Sequence, residues 1–137
     1  MNKVDSVKAL DYAYKRIFSN SYNILNTVFE IIAQSKNPKE IIYFEQAIEK
    51  AQGYKKLAIY SNFGGYLAYM NEKVMENYID KFEAMTSSTE EADNYCSKTA
   101  LRMLKSELVK RDDIQSKKNV DRIDVILDKA KKIDEEF

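Results

Sequence analysis

The sequence contains no histidine among its 137 residues, and this absence removes much of enzymatic chemistry. Histidine is the side chain whose ordinary pKa suits proton transfer near neutral pH, and it is the commonest transition-metal ligand. Ser-His-Asp and Cys-His catalytic groups, histidine-containing zinc sites and the Glu-x-x-His pairs of di-iron bundles are therefore excluded. The single cysteine, Cys96, cannot form an intrachain disulfide, so we expect a small core residue and a reducing compartment.

Glycine and proline are also scarce, with three glycines and one proline in the whole chain. A β-sandwich or barrel needs turn residues roughly every 8–12 positions, so this scarcity indicates an all-α protein. At this length we expect one domain, residues 1–137. No stretch approaches the apolar length of a membrane span, and Lys3, Asp5 and Lys8 interrupt the region where a secretory signal would be apolar. We therefore expect a cytoplasmic protein.

A net charge is missing as well, because 22 Lys and Arg residues balance 22 Asp and Glu residues. No overall field should draw the protein to nucleic acid or to acidic membranes. Residues 98–132 are nevertheless locally basic, with 11 cationic against 6 anionic side chains. The cations concentrate around the predicted last connection between helices and form a candidate nucleic-acid site: Lys110, Arg111, Lys117, Lys118 and Arg122. Interleaved aspartates oppose that interpretation by neutralising much of the charge.

Apolar residues recur at three- and four-residue steps, which predicts an antiparallel bundle of four long helices plus a C-terminal helix. We expect the first helix over about residues 6–35. The second should begin where Asn37 can cap it, Pro38 occupies its first turn and Glu40 can reach back to the cap. Gly53 costs about 1 kcal/mol inside a helix but need not end this one, and Leu57 and Tyr60 could continue its apolar stripe.

Residues 61–65 hold two of the three glycines and predict the next break. The third helix is then expected over residues 66–85. Residues 86–89 interrupt it, and Ser87 or Ser88 could form a capping box with the glutamate three positions further on.

The fourth helix should end at Leu108 or Val109, and a polar stretch over residues 110–119 should separate it from a last helix beginning near Val120. Rows of like charge lie on the predicted third and fourth helices: Glu72, Glu76, Asp80 and Glu83 on the third, and Lys98, Arg102 and Lys105 on the fourth. Such rows weaken an isolated helix unless a neighbour compensates them. We expect the two rows to face each other, with Glu72 near Arg102.

Ten tyrosines without a tryptophan are more than the core faces can hold. Tyrosine is favoured at the rim of a core and in protein interfaces. The densest group forms the candidate partner-binding set: Tyr60, Phe63, Tyr66 and Tyr69. One interpretation is a recognition loop in which Phe63 and a tyrosine insert into a partner. The other, which the pattern favours, is a packed corner in which Gly64 or Gly65 supplies a positive φ.

Without a catalytic constellation we predict no enzymatic activity, no cofactor and no metal site. The leading hypothesis is a non-enzymatic protein-interaction module, such as an adaptor, inhibitor, regulator or small assembly subunit. It would bind another protein, or a second copy of itself, through helix faces and the segment over residues 60–66. The alternative is a nucleic-acid-associated helical subunit that uses residues 98–132. A tyrosine-lined pocket between helices stays open as a third interpretation.

Overall fold

A computed structural model describes residues 3–136 of the protein and the side chains of residues 6–131. All regular secondary structure in this range is helical. The all-α prediction is confirmed within that range. The α-helices are α1 (Lys3–Tyr14), α2 (Tyr22–Gln34), α3 (Ile41–Lys50), α4 (Lys55–Leu67), α5 (Glu72–Met85), α6 (Glu91–Leu108) and α7 (Ile114–Glu136). No helix in the described part of the chain is long and apolar enough to cross a membrane.

The helices pack as a bundle, as predicted, but the division into four long helices and a C-terminal helix is not confirmed, since seven α-helices are described. The expected helix over residues 6–35 is two helices, because a turn over residues 15–21 separates α1 from α2. Ser21 begins α2, and its hydroxyl accepts a hydrogen bond from the backbone N–H of Ile24 at 3.3 Å. The apolar pattern shows no interruption there because Ile17, within the turn, is buried like a residue on a helix face.

The predicted start of the second helix is confirmed, with a difference in its local form. Asn37 accepts a hydrogen bond from the backbone N–H of Lys39 at 3.0 Å, and a 3-10 turn over Pro38–Glu40 leads into α3. The helix then ends at Lys50 instead of continuing through Gly53. Gly53 has a φ of +60°, a left-handed conformation that glycine adopts at little cost, and it separates α3 from α4.

Glu40 does not reach back to the helix cap but turns into the protein. Its Oε1 accepts a hydrogen bond from the Tyr14 hydroxyl at 2.7 Å, and the Tyr14 ring stacks on Tyr43 with centroids 4.5 Å apart. These contacts attach the end of α1 to the start of α3.

The break predicted over residues 61–65 is wrong, because α4 continues through both glycines to Leu67. The break lies over residues 68–71 instead, and Asn71 begins α5 by accepting a hydrogen bond from the backbone N–H of Val74 at 2.9 Å. The predicted turn over residues 86–89 is confirmed, as is the end of the following helix, α6, at Leu108.

Two smaller predictions about the last helices need correction. Neither capping box forms at the start of α6, because Glu90 is the capping residue and its own N–H donates to the Ser88 hydroxyl at 3.1 Å. The last helix, α7, begins at Ile114 rather than near Val120. Asp113 caps it by accepting from the backbone N–H of Ser116 at 2.9 Å, a signal hidden in the polar stretch.

The charge rows also pair differently from the prediction. Asp80 and Glu83 of α5 form ion pairs with Arg122 of α7, and the Glu83 pair measures 3.4 Å. Glu76 accepts a hydrogen bond from the Gln115 amide of α7 at 3.3 Å. Two carboxylates of the acidic row of α5 are therefore paired with a cation of α7, a helix that was not predicted to lie beside α5.

Gly64 allows α4 and α6 to approach backbone to backbone. A Cβ atom at Gly64 would lie 2.2 Å from the carbonyl oxygen of Ala100 and 3.0 Å from the Cβ of Met103. In keeping with this close approach, α4 packs more extensively against α6 than against any other described helix, and next most against α2. The glycine pair that suggested a loop is therefore part of a helix crossing.

We predict that Gly64→Ala destabilises the fold by about 2 kcal/mol or more, because the added methyl group overlaps the α6 backbone. The matched control is Gly65→Ala, whose Cβ would meet only the Glu107 side chain at an ordinary 3.8 Å. That control should leave stability unchanged or raise it by up to about 1 kcal/mol through helix propensity. Urea unfolding followed by circular dichroism measures both variants. Equal effects of the two substitutions would contradict the proposed crossing.

Candidate functional site

The four predicted partner-binding residues do not lie together in one loop. Tyr60 and Phe63 face α3 and α5, whereas Tyr69 follows the end of α4 and is 38% exposed. Tyr66 is buried, and its hydroxyl donates a hydrogen bond to the backbone carbonyl of Asn37. The prediction of a loop site over residues 60–66 is wrong, because that segment is helical and its three aromatic side chains are buried.

Tyr60 and Phe63 instead form part of a cleft of about 230 Å³ between α3, α4 and α5, which we call the α3–α5 cleft. It is lined by Glu45, Ile48, Glu49, Tyr60, Phe63, Tyr78, Lys81, Phe82 and Met85. The floor is buried and aromatic, the sides are half-buried and the rim is charged and exposed.

The aromatic rings of the α3–α5 cleft pack mainly edge to face. Phe63 lies 4.8 Å from Tyr78 with an interplanar angle of 77°, and Tyr60 lies 5.9 Å from Phe82 with an angle of 69°. Edge-to-face packing is a favourable arrangement for ring quadrupoles and fixes the ring positions. The floor of the cleft is therefore preformed by the core.

Charged groups occupy the rim of this cleft. Glu45 and Glu49 project from successive turns of α3, and Lys81 projects from α5. The Lys81 ammonium lies over the Tyr78 ring, 4.6 Å from its centroid, at a cation–π distance.

The hydroxyl groups of Tyr60 and Tyr78, the two tyrosines of the α3–α5 cleft, are held in their neutral form. Burial raises the pKa of Tyr60 above its ordinary value near 10, and the negative charge of Asp93 adds to the effect. Burial likewise raises the pKa of Tyr78, followed by a hydrogen bond to Glu45 and the charge of that carboxylate. Both hydroxyl groups thus remain protonated donors throughout the physiological pH range.

Tyr69 lies in a second depression, of about 330 Å³, which we call the Tyr69 groove. It lies among α2, α4 and α6 and is lined by Glu30, Ala33, Gln34, Lys36, Ser61, Asn62, Gly65, Tyr66, Tyr69, Met103, Glu107 and Lys110. Gly65 carries no side chain to fill this space, and Met103, 42% exposed, forms an apolar border.

Three neighbours hold the Tyr69 side chain in place. Its hydroxyl donates a hydrogen bond to Oε2 of Glu107 at 3.3 Å, and the Lys36 ammonium lies 4.6 Å from the ring centroid. The Arg111 guanidinium lies 5.3 Å from the same centroid and donates to the carbonyl oxygen of Ala68. Tyr69 is thus an exposed aromatic side chain with a fixed position.

Lys36 reaches Tyr69 from an unusual backbone conformation. It follows the end of α2 with a φ of +54°, in the left-handed region where glycine or asparagine is the usual choice after a helix. A lysine at this position carries a conformational cost, and its side chain lies over the Tyr69 ring.

The five cations of the predicted nucleic-acid site do not form a continuous positive surface. Lys110 pairs with Glu107 at 3.2 Å, and Lys117 pairs with Asp112 at 3.3 Å. Arg111 and Arg122 are engaged as described above, and Lys118 is exposed. Lys117 and Lys118 lie on α7 and not in the connection predicted over residues 110–119, and Arg122 lies on the last helix as predicted. Much of the local positive charge is therefore compensated within the chain.

The expectation that Cys96 is a core residue is confirmed, since its side chain is fully buried. Burial raises the pKa of the Cys96 thiol to about 11, so little of the nucleophilic thiolate forms near neutral pH. Within the described residues, no cluster of three or more potential ligands among His, Cys, Asp and Glu is arranged to hold a metal ion.

No protein-family model, curated protein sequence or solved structure matches the chain.

Sequence reasoning missed most of both depressions. Tyr78 and Met85 belong to the apolar stripe of the predicted third helix, and no pattern in the sequence singled out Glu45 or Glu49. A tyrosine within an apolar stripe was the available signal, because its hydroxyl favours the edge of a core. The charged partners could be assigned only once α3 was known to pack beside α5.

We predict that the fold loses stability as the pH rises above about 10. A tyrosine whose pKa is higher in the folded state than in the unfolded chain contributes its full stabilisation at pH values below the pKa of the unfolded chain. This contribution is lost as the pH rises above that value, because the tyrosine then ionises in the unfolded chain but not in the folded state. For buried Tyr60 the loss at pH 11 should be roughly 1 kcal/mol relative to pH 8.

Tyr60→Phe should remove this share of the alkaline sensitivity, because phenylalanine has no hydroxyl to ionise. The fold should tolerate the substitution, because the Tyr60 hydroxyl makes only a long contact of 3.9 Å with the Met85 sulfur. The wild-type chain is the reference and should show the full sensitivity. Denaturant unfolding at a series of pH values measures both proteins. The cause assigned to Tyr60 would be disproved by an unchanged pH dependence in Tyr60→Phe.

Proposed function

We propose that the protein is a non-enzymatic protein-interaction module that binds a partner chain in the Tyr69 groove. The observation that carries the proposal is an exposed tyrosine held by Glu107, Lys36 and Arg111 beside an open apolar floor. The absence of histidine and the buried, protonated Cys96 support a binding role over a catalytic one.

A preorganised tyrosine is a favourable interface anchor. Tyrosine and arginine are enriched among the residues that dominate binding energy, and a side chain already fixed in position loses little entropy when a partner arrives. Tyr69 and Arg111 supply both residue types in contact with each other, and Met103 supplies a flexible apolar surface beside them.

The groove chemistry favours a partner segment that presents an apolar side chain next to a carboxylate. The apolar group would lie over Gly65 beside Met103. The carboxylate would approach Lys36, whose ammonium is exposed at the border of the groove. The backbone conformation at Lys36 is consistent with this arrangement, because a non-glycine residue with a φ of +54° carries a conformational cost that a binding role would offset.

The test places a photo-crosslinking amino acid at position 69 or 103 in the full chain, in an extract of the source organism. We expect both positions to crosslink to the same partner protein, with competition by excess unmodified protein. Position 95 is the control, because Tyr95 is also exposed but lies twelve residues before Glu107 on α6, about 18 Å along the helix axis. Equal crosslinking at 95, or adducts with nucleic acid only, would contradict the proposal.

We predict that Lys36→Gly separates binding from folding. The substitution relieves the left-handed conformation of a non-glycine residue, so unfolding by denaturant should show equal or higher stability. It should nevertheless weaken competition for the partner, and Tyr69→Ala should weaken it at least about tenfold. Retained competition by both folded variants would show that the groove is not the partner site.

A further inference from the structure

The α3–α5 cleft is separate from the Tyr69 groove and is suited to a small ligand. Its volume of about 230 Å³ is below the range of about 300–1,000 Å³ that is typical of pockets for larger ligands. The aromatic floor is preformed, and Ile48 and Met85 are half-buried at its sides. These dimensions fit a single compact group, such as a methylated or primary ammonium.

The charges of the rim favour a cation over an anion. Two carboxylates, Glu45 and Glu49, line the cleft against one ammonium, that of Lys81, which leaves the lining with a net negative charge. Positive charge is also favoured at the face of a tyrosine ring, where the π-electron density is negative. Both features favour a positively charged ligand.

The position of Lys81 shows where such a cation would lie. Its ammonium is 4.6 Å from the centroid of the Tyr78 ring, so this ring face already accepts a positive group. Lys81 is an exposed side chain on a flexible stem, and it can leave the ring without disturbing the buried floor. The Lys81 ammonium would therefore compete with a bound cation for the Tyr78 ring face.

We propose that the α3–α5 cleft binds an alkylammonium group, which replaces the Lys81 ammonium over the Tyr78 ring and is attracted by Glu45 and Glu49. The group could belong to a free quaternary amine or to a lysine side chain of another protein, since both present the same chemistry. Binding at this site does not depend on the Tyr69 groove, so either proposal can fail alone.

The test is a titration of the isotope-labelled full chain, followed by amide chemical shifts in two-dimensional NMR. Choline and lysine amide are the cationic probes, and 3,3-dimethylbutanol is the neutral isostere of choline. We expect saturable shifts confined to α3, α4 and α5 in the millimolar range with choline. The neutral isostere should bind at least about fivefold more weakly, because it lacks the cation–π and carboxylate attractions.

Variants separate the cation site from a general apolar pocket. Lys81→Met removes the internal competitor and should tighten choline binding by about threefold or more. Glu45→Gln with Glu49→Gln keeps the shape of the rim and should weaken it by a similar factor. Asp121→Asn with Asp128→Asn, which neutralises two exposed carboxylates of α7 outside both depressions, is the matched control and should leave choline binding unchanged. Tyr78→Leu should abolish binding, and unfolding curves identify a variant that fails to fold.

The probes also distinguish the two sources of the ligand. Saturation by choline alone supports a free quaternary amine, whereas comparable saturation by lysine amide supports a protein side chain. The proposal is overturned if the neutral isostere binds as well as choline, if the glutamine double variant binds unchanged, or if no probe produces saturable shifts in the cleft.

Discussion

The crossing of α4 over α6 at Gly64 and Ala100 is the contact on which the arrangement of the other helices depends. Only hydrogen fits on Cα at position 64, because a Cβ would overlap the Ala100 carbonyl oxygen. Close approach gives α4 and α6 the most extensive packing in the described part of the bundle. A glycine inside a helix costs about 1 kcal/mol in propensity, and this contact provides the structural reason for retaining one.

The crossing also determines what the remaining faces of α4 can do. With Gly64 against α6, Tyr60, one turn earlier, and Phe63, the preceding residue, face α3 and α5. Phe63 stacks on Phe44 at 4.8 Å and contributes to the aromatic floor of the α3–α5 cleft. Gly65 faces the opposite depression, which Tyr69 borders from beyond the helix end. One central helix thus separates two surfaces of different chemistry, one rich in aromatic rings and carboxylates, the other centred on a tyrosine flanked by cations.

Sequence reasoning succeeded where the signal is local and failed where it is tertiary. Asn37 before a proline identifies a helix start because the capping hydrogen bond lies within the same few residues. The Gly64-Gly65 pair has two meanings, a flexible loop or a close helix contact, and only the position of α6 decides between them. The turn over residues 15–21 escaped for a related reason, since Ile17 is buried there and continues the apolar period. The residues that line the two depressions come from several helices, so they could be identified only once it was known which helices lie next to each other.

Native-state amide hydrogen exchange tests most directly whether the α4–α6 crossing organises the fold. We expect the central amides of α4 and α6 to exchange last and with the same free energy of opening, because neither helix can separate without exposing the other. The helices outside this pair should open at lower free energies. Exchange of α4 well before α6, or protection of α6 together with α7 alone, would contradict the account.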